Sequence, residues 1–188
     1  MTSFTIRAGV PSDLAGCVAL LAVHEGADDG AGVVMRQEKP SRETRVRAWF
    51  DRPRHLLLVA EALPSEADEA ASDPADRLVA YARALFLDST PTTPGGYYLS
   101  GLVVAPWARR SGLGSRLTEA RLAWIAERAS SAWYFTNARN TASLRMHESL
   151  GFHEETREFT LPDVEFDGGV GVLEHLTLDG STCPQADG

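Results

Sequence analysis

The residues with the most chemistry in them run Leu102-Val103-Val104-Ala105-Pro106-Trp107-Ala108-Arg109-Arg110-Ser111-Gly112-Leu113-Gly114-Ser115-Arg116. An apolar strand pattern ends at Val104, Pro106 interrupts it, and a basic turn with two glycines leads into a helical pattern. Gly112 and Gly114 let backbone approach a ligand closely. The first turn of a helix presents unpaired N–H groups at the positive end of the macrodipole. Together these make an anion site, best suited to phosphate. Between positions 105 and 128 stand five arginines and two acids, inside a chain of net charge −8. That local reversal favours a phosphorylated ligand. The spacing matches neither G-x-G-x-x-G nor the Walker loop, which disfavours a dinucleotide or ATP.

The composition narrows the partners. At 188 residues, 44% hydrophobic and 23% charged, the chain reads as one soluble globular domain over 1–180 with a flexible tail at 181–188. The acidic balance argues against nucleic acid, which is bound largely through Lys and Arg. No apolar run approaches the roughly 18 residues of a membrane span. Met1-Thr2-Ser3-Phe4 lacks the basic and apolar blocks of a signal peptide. A cytoplasmic protein without a membrane partner is expected, and a homodimer stays open. Cys17 and Cys183 form no disulfide framework and no metal-ligand spacing, so no metal is expected.

The elements that must position the loop follow from periodicity. Strands are predicted at 4–7, 55–61, 78–87, 97–104, 133–136, 152–160 and 170–178. Helices are predicted after Pro11 with Ser12 as N-cap, over 41–51, over 112–129, and over 141–150 with Asn140 as N-cap and Gly151 as C-cap. Residues 25–39 and 89–96 read as loops, and the acidic stretch 63–76 as a solvated hairpin connection. The order predicts a single α/β domain with a mixed sheet.

With these elements in place, the chain resembles the GCN5-related N-acetyltransferase superfamily. The residues that carry the resemblance are Leu102, Val104, Pro106, Arg109, Gly112 and Gly114, followed by Asn140, Ser143, Leu150, Gly151 and Phe152 in a second motif. It is sharp over 97–160 and diffuse over 4–90. It implies a splayed central sheet flanked by helices, and acetyl-CoA as cosubstrate with direct transfer to an amine. The pantetheine arm would lie between strands 97–104 and 132–137, paired with backbone at Leu102, Val103 and Val104. The pyrophosphate would sit on the turn, with Arg109, Arg110, Gly112, Leu113, Gly114 and Ser115 binding it and Asn140 and Ser143 beside the cofactor. The Val104 amide would hold the oxyanion. Where many relatives carry a tyrosine that protonates the thiolate, this chain has His147, which either serves as the acid or only packs.

The general base is not visible. No Asp or Glu occurs between Asp88 and Glu119, so the strand that usually supplies one cannot. Water, or Glu25, Asp28 or Asp29 in the first loop, or Glu154, Glu155, Glu174 or His175, stay open. The expected reaction is acetyl transfer to a small-molecule primary amine bound under the 25–39 loop and near the 88–96 loop. A protein N-terminus or lysine as acceptor, and a non-catalytic acyl-CoA-binding regulator, are the alternatives.

Overall fold

In the computed structural model the described residues are 3–26, 33–35, 40–63, 77–161, 164–166 and 168–178. Asp28, Asp29, most of the 63–76 stretch and the 181–188 tail lie outside them. Among the described residues nine strands and four helices follow in the order β1 (Phe4–Ala8), α1 (Leu14–Gly26), β2 (Val33–Met35), α2 (Arg42–Phe50), β3 (His55–Ala62), β4 (Leu78–Leu87), β5 (Gly96–Val104), α3 (Leu113–Ala126), β6 (Ser131–Asn137), α4 (Thr141–Ser149), β7 (His153–Thr156), β8 (Val164–Phe166) and β9 (Gly171–Thr177).

Seven strands form one sheet in the order β1-β3-β4-β5-β6-β9-β7, while β2 and β8 form a separate ribbon. Every pairing in the large sheet is antiparallel except β5 with β6. The expected mixed, splayed sheet is therefore present. The β2–β8 ribbon was not expected, because three-residue strands carry too little alternation to register against loop residues.

Two local corrections have physical causes. Ser12 does not cap α1. A 3-10 turn over Pro11–Asp13 precedes that helix, and the Asp13 carboxylate accepts the Val10 N–H at 2.8 Å. Burial alone would raise the pKa of Asp13, but hydrogen bonds from Arg7 and the Val10 amide outweigh it and hold the carboxyl low. Further on, Arg121 does not join the basic patch of the glycine turn. It is fully buried and donates to the Leu117 and Arg83 carbonyls and to Thr118 Oγ1, pinning α3 to β4.

The predicted C-cap of α4 holds. Gly151, at φ +94°, donates to the Glu148 carbonyl, and Phe152 N–H donates to the His147 carbonyl. That double bond is a Schellman motif, and the contact that accompanies it is the Phe152 ring against His147 at 5.2 Å. α3 and α4 cover one face of the sheet, through Tyr97–Trp124 and Tyr134–His147 contacts. α2 covers the other, through Trp49 against Tyr81.

Candidate active site

β5 and β6 pair at two positions only, Tyr98 with Trp133 and Leu99 with Tyr134. Beyond them the strands part. In the same stretch β5 carries a bulge: Tyr81 faces Val103 but Arg83 faces Ser100, so β5 spends one extra residue. Gly101, at φ +57°, makes that turn possible. Ala105 N–H donates to the Val79 carbonyl of β4 at 2.8 Å. Amides alternate in direction along a strand, so Val103 turns to β4 while the N–H groups of Leu102 and Val104 face the gap beside β6. Of the three residues predicted to line the arm, Leu102 and Val104 thus turn their N–H groups to the gap, and Val103 turns its own to β4.

The turn after β5 is built for exposure. A 3-10 turn, Pro106–Ala108, is tied by Ser111 Oγ to the Ala108 carbonyl at 2.7 Å. Arg110 and Gly112 both have left-handed backbone, at φ +62° and +79°. A Cβ on Gly112 would meet nothing within 4 Å, so the glycine is required by its conformation. The first bond of α3 runs from Arg116 N–H to the Gly112 carbonyl. The amides of Leu113, Gly114 and Ser115 precede it and remain outside the helical ladder. Arg109, Arg110 and Arg116 stand exposed around them. A Cβ on Gly114 would lie 3.5 Å from Met146 Sδ and 3.7 Å from Leu102 Cδ2, which shows how closely α3, α4 and β5 converge here.

On the same face, the second motif forms a connected network. Asn140 Oδ1 accepts the Ser143 N–H, and its Nδ2 donates to Thr136 Oγ1 at 3.2 Å. Ser143 Oγ and the Tyr134 hydroxyl share a hydrogen bond of 2.6 Å. The Ser143 carbonyl lies 2.9 Å from His147 Nδ1, which fixes that nitrogen as the donor. His147 is buried, stacked on Tyr134 at 3.5 Å, and its Nε2 meets no partner. Burial pushes its pKa down to about 4, so the ring is neutral near pH 7 and its only N–H is committed.

Tyr134, which no part of the motif reading singled out, presents a hydroxyl to this network. Burial raises its pKa, so it keeps its proton. The available signal was a tyrosine on the strand bordering the gap, but its contact with α4 is tertiary.

The opposite face carries Tyr98, whose ring meets both Trp133 and Phe135, and the guanidinium of Arg83. Arg83 lies 4.2 Å over the Trp49 ring and donates to Ser100 Oγ at 3.3 Å. Its Nε is buried without a partner, directly under the bulge: a Cβ on Gly101 would lie 2.9 Å from it. Among the described residues no carboxylate pairs with Arg83. Burial, with Arg52 and Arg45 nearby, pushes its pKa down to about 10. An open groove of about 440 Å³ continues along this face between the 89–94 turn and Glu155, Glu158 and Leu173. The Tyr98 hydroxyl holds that turn through the Pro94 carbonyl at 2.6 Å.

The carboxylates expected to serve the amine are differently placed. Glu25 is engaged by Arg42 and Arg45 at 2.8 Å each. Glu154 is held by Arg157. Glu174 pairs in register with Tyr134 and so faces α4, away from the groove. Glu155 and His175 lie on the groove side, toward the sheet edge.

Comparisons with known proteins bear on the family and the fold. The model of the acetyltransferase (GNAT) family matches residues 22–152. The fold is similar to that of a GCN5-related N-acetyltransferase from Kribbella flavida, with a TM-score of 0.66, 18% identity, and 93% of this chain and 98% of that one covered. It is similar to yncA from Salmonella typhimurium, solved with its cofactor acetyl-CoA, with a TM-score of 0.68, 19% identity, and 98% and 99% covered. It is also similar to the ribosomal-protein-S18-alanine N-acetyltransferase of Escherichia coli, with a TM-score of 0.60, 19% identity, and 96% and 99% covered. No curated protein matches the sequence.

Proposed function

The chain belongs to the acetyltransferase (GNAT) family, and from that premise we propose that it moves an acetyl group from acetyl-CoA directly to the primary amine of a small molecule. The observation that carries this reading is the gap between β5 and β6, with the Leu102 and Val104 amides facing it and the unladdered amides of α3 at its end. A pantetheine arm would pair with those strand amides. Its pyrophosphate would take the amides of Leu113, Gly114 and Ser115, with Arg109 and Arg110 adding charge.

The amine nitrogen attacks the thioester carbon, the N–C bond forms, and the Val104 N–H receives the developing oxyanion. Such a donor contributes about 3 kcal/mol in other enzymes. The C–S bond then breaks and the thiolate takes a proton. The Tyr134–Ser143 hydroxyl pair is the donor we assign, with His147 holding the pair in place by stacking and by its bond to the Ser143 carbonyl. The amine's proton leaves to water, since no free carboxylate among the described residues stands beside the bulge.

The acceptor we infer carries an anionic group near its amine. Arg83 is the reason: a largely desolvated guanidinium without a carboxylate is costly, and an anion of the substrate would satisfy it. The test is thiol release from acetyl-CoA across a panel of neutral amines, amino acids and peptides. Faster turnover of amines bearing a carboxylate supports the reading. Acetylation confined to peptides favours a protein acceptor, and CoA binding without any turnover favours a regulator.

A further inference from the structure

The edge of the sheet holds a constellation that the acetyl-transfer chemistry does not use. β7 and β9 pair antiparallel with His153 directly opposite His175. Their rings meet edge to face, with centroids 5.4 Å apart. Two residues along β7, on the same face, Glu155 occupies the bulge where Glu154 faces Glu174 and Thr156 faces Leu173. One donor atom from each of His153, Glu155 and His175 can be chosen so that all three lie within 4.8 Å of one another.

Several features make this more than a crowded surface. His175 is not free to swing: its ring packs on Trp133 at 4.4 Å, and Trp133 in turn lies against Tyr98. Arg157, two residues further along the chain, is taken up by Glu154. Glu155 faces two imidazoles, and among the described residues no side-chain hydrogen bond or ion pair engages any of the three. Two nitrogens of intermediate softness and one carboxylate suit a borderline divalent ion, with sites of this make-up holding zinc or non-haem iron. A donor set of oxygens would instead have pointed to calcium or magnesium.

We propose that His153, Glu155 and His175 bind a divalent transition-metal ion of the zinc type. Three protein ligands leave a fourth position for water or another ligand. The ion would tie the edge strand β7 to β9 at the sheet margin. It would also fix Glu155, which lines the groove on the acceptor face, so its occupancy would set the shape of that groove. Nothing along the sequence announced the site. The donors come from positions 153, 155 and 175, and only strand register joins them.

The test uses full-length protein freed of any histidine tag and stripped with chelator, titrated with zinc chloride against a chromophoric zinc indicator. One zinc per chain is expected. His153→Ala and His175→Ala should each weaken binding about tenfold or more, and Glu155→Gln by less. Cobalt(II) in place of zinc should give visible d–d bands that both histidine variants lose. Zinc should raise the melting midpoint of the wild type but not of His153→Ala. His153 is exposed, so that variant is expected to fold, and its unchanged CoA affinity checks this. No zinc uptake by the wild type at tenfold molar excess, or equal uptake by the wild type and both histidine variants, overturns the proposal. Either result leaves the acetyl-transfer reading untouched.

Discussion

The two faces of the β5–β6 gap are built in opposite ways. The face under α3 and α4 uses backbone: strand amides, a left-handed glycine turn and a helix start, with side chains in support. The face under α2 uses side chains: Arg83, Tyr98, Trp133 and Phe135, contributed by three strands. Backbone donors fit a ligand that does not vary, and they survive most substitutions of the residues that carry them. Side chains fit a ligand that differs from one member of a fold to the next, since one substitution re-tunes them. On the proposed reading, cosubstrate binding would be robust to side-chain change, while acceptor recognition would rest on a few groups.

The largest effect should come from breaking the backbone face. Gly112→Asp places a carboxylate at the anion site and forces a left-handed aspartate, and calorimetry should show CoA binding lost. Gly112→Ala adds only the conformational cost, about 1–2 kcal/mol, and should bind CoA weakly but measurably. Equal CoA affinity in folded Gly112→Asp and wild type would remove the turn from the cofactor site.

Tyr134→Phe comes next. Loss of a general acid typically costs about 100-fold or more, so kcat should fall by that order while CoA affinity stays near that of the wild type. His147→Phe keeps the stacking and should cost much less. Should His147→Phe be the slower variant, the imidazole rather than the phenol is the acid.

A smaller change is expected from Arg83→Leu on the acceptor face. A hydrogen-bonded charge contributes about 1.5–3 kcal/mol, so kcat/KM for an anionic amine should fall about 10- to 100-fold. CoA affinity should hold, and neutral amines should lose little. Uniform loss across all amines would make Arg83 a structural residue.

The last effect concerns stability rather than turnover. Burial, with Glu154 and Glu148 adding, raises Glu174 to about 7. A carboxyl raised in the folded state favours folding below its unfolded value, and that advantage is lost as pH rises through about 7. Melting midpoints of the wild type should therefore fall between pH 5 and 8 relative to Glu174→Gln, by roughly 5–10 °C. Parallel curves for the two proteins would place Glu174 in ordinary solvent.

The sequence by itself determined most strands and helices of the large sheet, the glycine turn and the cap at Gly151, because each depends on neighbours close along the chain. Strand, proline, left-handed glycine and helix start all fall between Leu102 and Arg116, so their physics is local and legible. Asn140 and Phe152 are readable for the same reason. What only the tertiary structure decided is everything that needs strand register or burial. It turned Val103 away from the gap, sent Arg121 into the core, and took Glu25 for Arg42 and Arg45. It also made His147 neutral and set Tyr134 against Ser143. Arg83 has meaning only beneath the Gly101 bulge, 18 positions away in sequence. Pattern along a chain reports which face a residue prefers. Which partner it finds there depends on the pairing of strands distant in sequence, and that pairing is set by the sum of the core's contacts rather than by any one residue.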